Sequence, residues 1–299
     1  MYFTVHLLLL APAVLSAVGP LVARHLAPPA AVRALTCLAL TAAAATVWSL
    51  SVLAFAGLVT VPAVRSRLSG DAHALAAVDP VPWGLGALAA AVLGVVTVRL
   101  SSAWRRHATG RRSLGVVRTA PAAGDLIVVA DDRADAYALP GRPGRIVVTT
   151  GMLRSLCAEE RAVLLAHERA HLMHHHHRYV AAAQAAVVVN PLLARLRDEI
   201  GFAVERWADE VAAEAIRSRR TALRSLARAA LATACLPAPP PALAYLRHRV
   251  AARVAALQEE RPVNRWHRVW PAAGAVLATF LALTDVGVAL TRCLNLLVP

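Results

Sequence analysis

Lysine is absent from this sequence, and cysteine and acidic residues are scarce. The chain of 299 residues has 32 basic side chains, all of them arginine, against 18 acidic ones, which gives a formal net charge of +14. Its four cysteines, Cys37, Cys157, Cys235 and Cys293, are widely spaced and form no CxxC pair. This spacing excludes a disulfide framework and a cysteine zinc site.

Charged residues make up only 17% of the chain, whereas hydrophobic residues make up 58%. The mean hydropathy of +0.54 is too high for an ordinary soluble protein and predicts membrane-spanning segments. A strongly basic chain can also bind nucleic acid, but no nucleic-acid-reading motif occurs in this one. We therefore expect a lipid bilayer, and no nucleic acid, among its partners.

Four long apolar runs are candidates for transmembrane helices, because crossing a bilayer takes about 20 apolar residues of helix. They extend approximately over residues 6–23, 34–61, 81–100 and 269–290. The first run lacks the basic N-terminal region of a signal peptide, so we expect it to be a retained span.

The predicted domains follow from these runs. Residues 1–100 are expected to form three transmembrane helices with short loops, 101–268 a polar domain, and 269–299 a fourth transmembrane helix with a short C-terminal tail. The polar domain holds 26 of the arginines and 15 of the acids, and arginine clusters lie beside both neighbouring spans. Because arginine near a span favours the cytoplasmic side, we expect a multi-pass protein of the cell membrane whose polar domain is cytoplasmic.

The polar domain has the pattern of an α+β fold. The β-branched runs 126–129 and 146–149 flank the turn-forming stretch 140–144, which predicts two strands paired as a hairpin. Their edge could accept an extended peptide, or the hairpin could be purely structural. Helices are expected to begin near Ala158, at Asn190-Pro191, before Glu205 and near Tyr245.

One pentapeptide of the helix expected at Ala158 carries chemistry, namely His167-Glu168-Arg169-Ala170-His171. Histidines four residues apart on a helix lie on one face, so His167 and His171 can converge on one Zn²⁺. Glu168 points close to such a metal without binding it, and it can take a proton from zinc-bound water and pass it to the leaving amine. The alternative is a surface helix with unrelated histidines.

A catalytic zinc site needs a third protein ligand, expected to be Glu or His of a later helix. Glu205 and Asp209 are four residues apart and share a helix face. We expect Glu205 to bind zinc and Asp209 to accept the ring N–H of a ligating histidine, whereas Glu210 should be solvated. A pair of surface acids is the alternative, since the region holds further carboxylates at Asp198, Glu199 and Glu214.

In order and spacing, these motifs resemble a known superfamily. The zinc helix, Asn190-Pro191-Leu192 and Glu205-x-x-Ala208-Asp209 are similar to motifs of the HtpX-like and CAAX prenyl protease-like zinc metallopeptidases, which include the membrane metalloproteases of beta-lactam sensor-transducers. Segments 132–141 and 146–153 resemble the strand-and-turn region before the zinc helix of that group. The resemblance implies an α-helical integral membrane protein with a zincin-like α+β metallopeptidase domain between its third and fourth spans.

The resemblance also implies the site and the activity. One zinc ion per chain would be ligated by His167, His171 and Glu205, with Glu168 as general base and Asp209 orienting a ligand. The implied function is a zinc metalloendopeptidase that hydrolyses a protein or peptide substrate at the cytoplasmic membrane face. Signalling and membrane protein quality control are both compatible with it, and the sequence gives no oligomeric state.

Two other functions compete with the peptidase. A membrane metal-binding or transport protein could use the histidine run His174–His177, but ion paths need buried charges and the spans carry few ionisable residues. A signalling scaffold with a decayed protease conflicts with the intact ligand set and Glu168. The run itself predicts at most a weak second metal site, in which His174 could share the face of His171.

Overall fold

The computed structural model describes residues 2–65, 82–113, 124–234 and 240–297. These residues are mostly helical and include one small sheet. In chain order the elements are α1 (Tyr2–His25), α2 (Pro28–Val59), α3 (Pro62–Arg65), α4 (Trp83–Ser113), β1 (Leu126–Val129), β2 (Ala136–Leu139), β3 (Arg145–Thr149), α5 (Thr150–Ser155), α6 (Ala158–Met173), α7 (His176–Val189), α8 (Ala194–Ala215), α9 (Arg219–Ala234), α10 (Pro240–Gln258) and α11 (Trp270–Leu297).

The predicted spans fall on helices α1, α2, α4 and α11, except that residues 60–61, 82 and 269 lie just outside α2, α4 and α11 and residue 81 lies outside the described part of the chain. Helix α2 packs against both α1 and α4, and Gly57 and Gly86 meet backbone to backbone where α2 crosses α4. Within the described residues, Pro28–Val59 and Trp83–Arg106 are long and apolar enough to cross a membrane. They weakly suggest membrane association, and the four-span topology stays a prediction.

The sheet has the strand order β1-β3-β2, and the predicted hairpin of residues 126–129 with 146–149 is wrong. Those two strands, β1 and β3, are parallel, with Leu126 opposite Ile146. The turn at 140–144 instead joins β2 to β3, which run antiparallel. Sequence reasoning missed β2 because Ala-Tyr-Ala-Leu contains no β-branched residue, and the chain needs this extra strand to return parallel to β1.

A Thr-Thr-Gly corner joins β3 to α5 and holds the loop that leads into β2. The Thr149 hydroxyl donates to the Arg133 carbonyl at 2.6 Å, and the Thr150 hydroxyl donates to the Asp131 carbonyl at 2.8 Å. The Gly151 N–H also donates to the Asp131 carbonyl at 2.8 Å. A Cβ on Gly151 would lie 2.1 Å from the Asp132 carbonyl oxygen, so this close approach of two backbone segments requires glycine.

We predict that Gly151→Ala destabilises the protein by about 1–3 kcal/mol, because the loop before β2 must move to admit the methyl group. The thermal unfolding midpoint of the detergent-solubilised protein measures the effect. Gly201→Ala is the matched control, because Gly201 lies within α8 with no atom inside 4 Å of the new Cβ. The control should raise stability by roughly 0.5–1 kcal/mol, and equal effects at the two positions would contradict the close-contact explanation.

Helix α6, which carries His167-Glu168-Arg169-Ala170-His171, begins at Ala158, as predicted. Its first turn is closed by Glu160, whose carboxylate accepts a hydrogen bond from the Cys157 N–H at 3.1 Å and pairs with Arg228 of α9 at 3.1 Å. Burial opposes ionisation, but these contacts hold the pKa of Glu160 below its usual value. The helix ends at Met173, because His175 adopts a left-handed conformation with φ 52°.

The helices expected at Asn190 and before Glu205 are one continuous unit. A short 3₁₀ turn at Pro191–Leu193, capped by the Asn190 side chain, leads directly into α8. The Asn190 amide also donates to the Thr46 hydroxyl of α2 at 3.1 Å. Helix α8 packs against α2, α6 and α10. Its segment 205–209 therefore lies between the apolar helix α2 and helix α6. Helix α10 begins at Pro240, earlier than the predicted start near Tyr245.

Candidate active site

Three side chains from two helices converge at the centre of the polar domain. The Nε2 atoms of His167 and His171 on α6 lie 3.1 Å apart. The Glu205 carboxylate of α8 reaches them from the opposite side, with its oxygens 3.5 Å from His167 Nε2 and 3.7 Å from His171 Nε2. Both histidines are largely buried, whereas Glu205 is 39% exposed and opens the cluster towards solvent.

This donor set fits a zinc ion. Ligand atoms bound tetrahedrally at about 2.0–2.1 Å lie roughly 3.3 Å from one another, and the three observed separations of 3.1, 3.5 and 3.7 Å are close to that value. Two imidazoles and one carboxylate are also a donor combination typical of catalytic zinc. His167, His171 and Glu205 are the one group of this kind among the described residues.

Asp209 lies behind His167, on the side away from the cluster. Its Oδ1 is 3.1 Å from His167 Nδ1, which leaves Nε2 directed at His171 and Glu205. Burial would lower the pKa of His167, but hydrogen bonds to Asp209 and Glu205 raise it to about 10. Asp209 therefore fixes which ring nitrogen faces the cluster, by the contact predicted from the four-residue spacing.

Arg253 of α10 closes the carboxylate side of the site, and the sequence did not reveal it. Its guanidinium donates two hydrogen bonds of 2.7 Å to Asp209, and Nη1 lies 2.9 Å from Glu205. Burial raises the pKa of each carboxyl, but pairing with Arg253 and His167 holds both pKa values below the usual range. The buried Arg253 guanidinium therefore pairs with both carboxylates.

Glu168 is buried beside the cluster and contacts the sheet. It is 8% exposed, and the backbone of Ala138 in β2 lies where it favours the ionised carboxylate. Burial raises the pKa of Glu168 to about 7, against the opposing effect of His167. A carboxyl with that pKa can both accept and release a proton near neutrality, as a general base that later acts as an acid must.

His171 has a second histidine behind it. His176 Nδ1 lies 3.0 Å from His171 Nδ1, and His176 is 1% exposed. Burial lowers the pKa of His171 to about 4 and that of His176 to about 3, so both rings are neutral at physiological pH. Trp207 of α8 lies against His176, with ring centroids 4.8 Å apart.

The structure brings together every predicted site residue: His167, Glu168, His171, Glu205 and Asp209. Of the other candidate acids, three pair with an arginine elsewhere: Asp198 with Arg197, Glu210 with Arg219 and Glu214 with Arg261. The expectation that Glu210 is solvated is wrong, because its side chain is only 14% exposed and holds Arg219 in a bidentate pair. His174 stacks on Trp207 instead of joining His171 at the cluster.

Comparison with known proteins supports the hypothesis that the chain is a peptidase. Residues 103–201 match the family model of peptidase family M48, which confirms the resemblance to HtpX-like and CAAX protease-like metallopeptidases. The matched segment is about a third of the chain, contains His167, Glu168 and His171, and ends before Glu205. Searches of curated proteins and of solved structures gave no match.

Proposed function

We propose that this chain, of which residues 103–201 match the model of peptidase family M48, acts as a membrane-bound zinc metalloendopeptidase with one zinc ion per chain. The observation that carries the proposal is the convergence of His167, His171 and Glu205 at zinc-ligand separations, with Asp209 behind one histidine and Glu168 alongside. The family match suggests metallopeptidase activity, and the geometry supports these residues as the ones that would carry it.

The proposed chemistry is hydrolysis of a peptide bond by water. When bound, zinc would act as a Lewis acid that polarises the scissile carbonyl and lowers the pKa of water. Glu168 would take the proton from the attacking water and deliver it to the leaving amine. Its burial supports both steps, because a carboxylate with few water contacts holds and releases a proton near neutral pH.

The substrate is proposed to bind as an extended strand beside β2. Strand β2 pairs with β3 on one side, and α6 packs on it so that Ala138 contacts Glu168. A peptide added at the other edge of β2 would satisfy main-chain hydrogen bonds without requiring a particular sequence, and its backbone would pass Glu168. The substrate class is therefore an unfolded or extended polypeptide segment.

The proposed location is the cell membrane, in a multi-pass arrangement with the catalytic domain in the cytoplasm. Helix α4 exposes Leu88, Val95 and Val98 by 56–64%, and α11 exposes Leu277, Phe280 and Leu281 by 54–61%. Apolar side chains exposed in this number along long helices favour contact with lipid. Cleavage would then occur close to the membrane surface, in signalling or in quality control of membrane proteins.

The test is zinc content together with cleavage by the full chain in detergent or liposomes. We expect one zinc per chain and cleavage of an unfolded model polypeptide such as casein, with products identified by mass spectrometry. Removing the metal with a chelator should stop cleavage, and adding zinc back should restore it. Zinc at full stoichiometry without cleavage of any unfolded polypeptide would favour a scaffold or metal-binding role instead, and protein without zinc would overturn the proposed site.

A further inference from the structure

His176 is turned into the protein by an irregular junction between two helices. Helix α6 ends at Met173, His175 takes the left-handed conformation, and His176 becomes the first residue of α7. Of the histidine run His174–His177, His176 is the buried member, at 1% exposure. The junction thus directs one imidazole at the back of the zinc cluster.

The contact between His176 and His171 fixes where the protons lie. His171 presents Nε2 to His167 and Glu205, so its Nδ1 must carry the proton when Nε2 binds a metal. His171 Nδ1 and His176 Nδ1 are 3.0 Å apart, and only one of them can donate. His176 Nδ1 is therefore the acceptor, and the proton of the neutral His176 ring lies on Nε2.

The other nitrogen of His176 makes no competing contact. Its Nε2 is buried without a hydrogen-bond partner in the part of the chain that the structure describes. Leaving a buried polar atom unpaired costs free energy. The contact between His176 Nδ1 and the predicted zinc ligand His171 offsets that cost.

Aromatic packing holds the His176 ring in place. Trp207 lies 4.8 Å from it between centroids, and His174 stacks on Trp207 at 4.6 Å. The Arg33 guanidinium of α2 lies 5.6 Å from the centroid of the Trp207 ring, so the apolar helix α2 also contributes to this packing. Trp207 lies between Glu205 and Asp209 in sequence. One turn of α8 therefore supplies a predicted zinc ligand (Glu205), the partner of His167 (Asp209) and the ring that packs on His176 (Trp207).

We propose that His176 is a positioning residue that accepts the Nδ1–H of His171 and so aims His171 Nε2 at the zinc ion. Each ligating histidine then has its own partner, an acid for His167 and a neutral histidine for His171. Outer partners of metal-bound histidines typically contribute 10- to 100-fold to metal affinity. The inference rests on the proposed zinc site and adds a residue that the family match leaves unassigned.

A pair of substitutions with the same chemistry tests the proposal. Asn at position 176 puts an amide oxygen at the place of the imidazole Nδ1, whereas Gln, though closer to His in size, puts its amide one bond further out. The zinc Kd of the full-length protein, measured by competition with a chelator, should stay within about 3-fold of the parent in His176→Asn and weaken roughly 10- to 100-fold in His176→Gln. His177→Ala, which removes an exposed ring of the same histidine run, is the control and should leave the Kd unchanged.

The absorption spectrum of the cobalt-substituted protein gives a second readout, because it reports ligand geometry without any turnover. His176→Asn should retain the parent spectrum and His176→Gln should change it. Equal zinc affinity and equal spectra in the Asn and Gln variants would overturn the positioning role. Failure of the parent protein to bind zinc would instead overturn the proposed metal site, so the two failures are distinguishable.

Discussion

Replacing Glu168 by Gln is expected to lower the rate of peptide-bond cleavage by about 100- to 10,000-fold and to leave the zinc content unchanged. Gln has nearly the same shape as Glu and can keep the backbone contact with Ala138, but it cannot accept a proton from water. Because Glu168 is adjacent to the donor set and not part of it, metal binding should survive. Turnover of an unfolded polypeptide and zinc analysis of the same preparation measure the two quantities.

Glu159→Gln is the matched control for this experiment. Glu159 lies on the same helix, its side chain is 74% exposed, and its contact with Arg224 spans 3.8 Å at the surface. The control should cleave at the parent rate, since exposed ion pairs contribute little. Undiminished cleavage by Glu168→Gln would exclude Glu168 as the base, and loss of zinc from it would show that the residue belongs to the metal site.

Replacing Arg253 by Leu is expected to destabilise the protein by about 3–5 kcal/mol, the range for removal of one partner of a buried ion pair. The side chain is 14% exposed and provides two hydrogen bonds to Asp209 and one contact to Glu205. Its loss leaves the 7% exposed Asp209 carboxylate without a cation other than His167. The unfolding midpoint of the metal-free protein isolates this contribution from that of zinc.

A double-mutant cycle separates charge pairing from packing. Asp209→Asn removes the charge while retaining an oxygen that can accept from His167, so Arg253→Leu should cost less in that background. Arg249→Leu, one helical turn earlier, removes a guanidinium lying 5.2 Å from the Phe202 ring and should cost about 0.5–1 kcal/mol. Equal costs of Arg253→Leu with and without Asp209→Asn would show that the side chain acts by packing alone.

The central part of the site could be predicted from the sequence because helical periodicity is a local property. His167 and His171, like Glu205 and Asp209, are four residues apart, and a helix places such pairs on one face wherever it lies in the fold. The start of α6 near Ala158 and the helical start at Asn190-Pro191 were predictable for the same reason, since the signals that begin a helix are confined to a few residues.

Sequence reasoning missed the contacts that depend on distant segments. Arg253 is 44 residues beyond Asp209, on a helix whose many arginines gave no reason to select one. His176 was obscured by its three neighbouring histidines and by the absence of a glycine to mark the left-handed turn at His175. Strand β2 was missed because two of its four residues are alanine, which does not favour strands, and pairing with β3 decides its conformation.

The position of Arg253 has a consequence for the order in which the site is assembled. During synthesis the ribosome releases His167, His171, Glu205 and Asp209 well before α10, so the two acids emerge before the cation that pairs with them. Until residue 253 is available, these acids lack the guanidinium that pairs with both of them and have His167 beside them. A released chain that ends before Pro240 should therefore hold its helices α6 and α8 together less firmly than the full-length chain does, because two buried acids then lack their guanidinium partner.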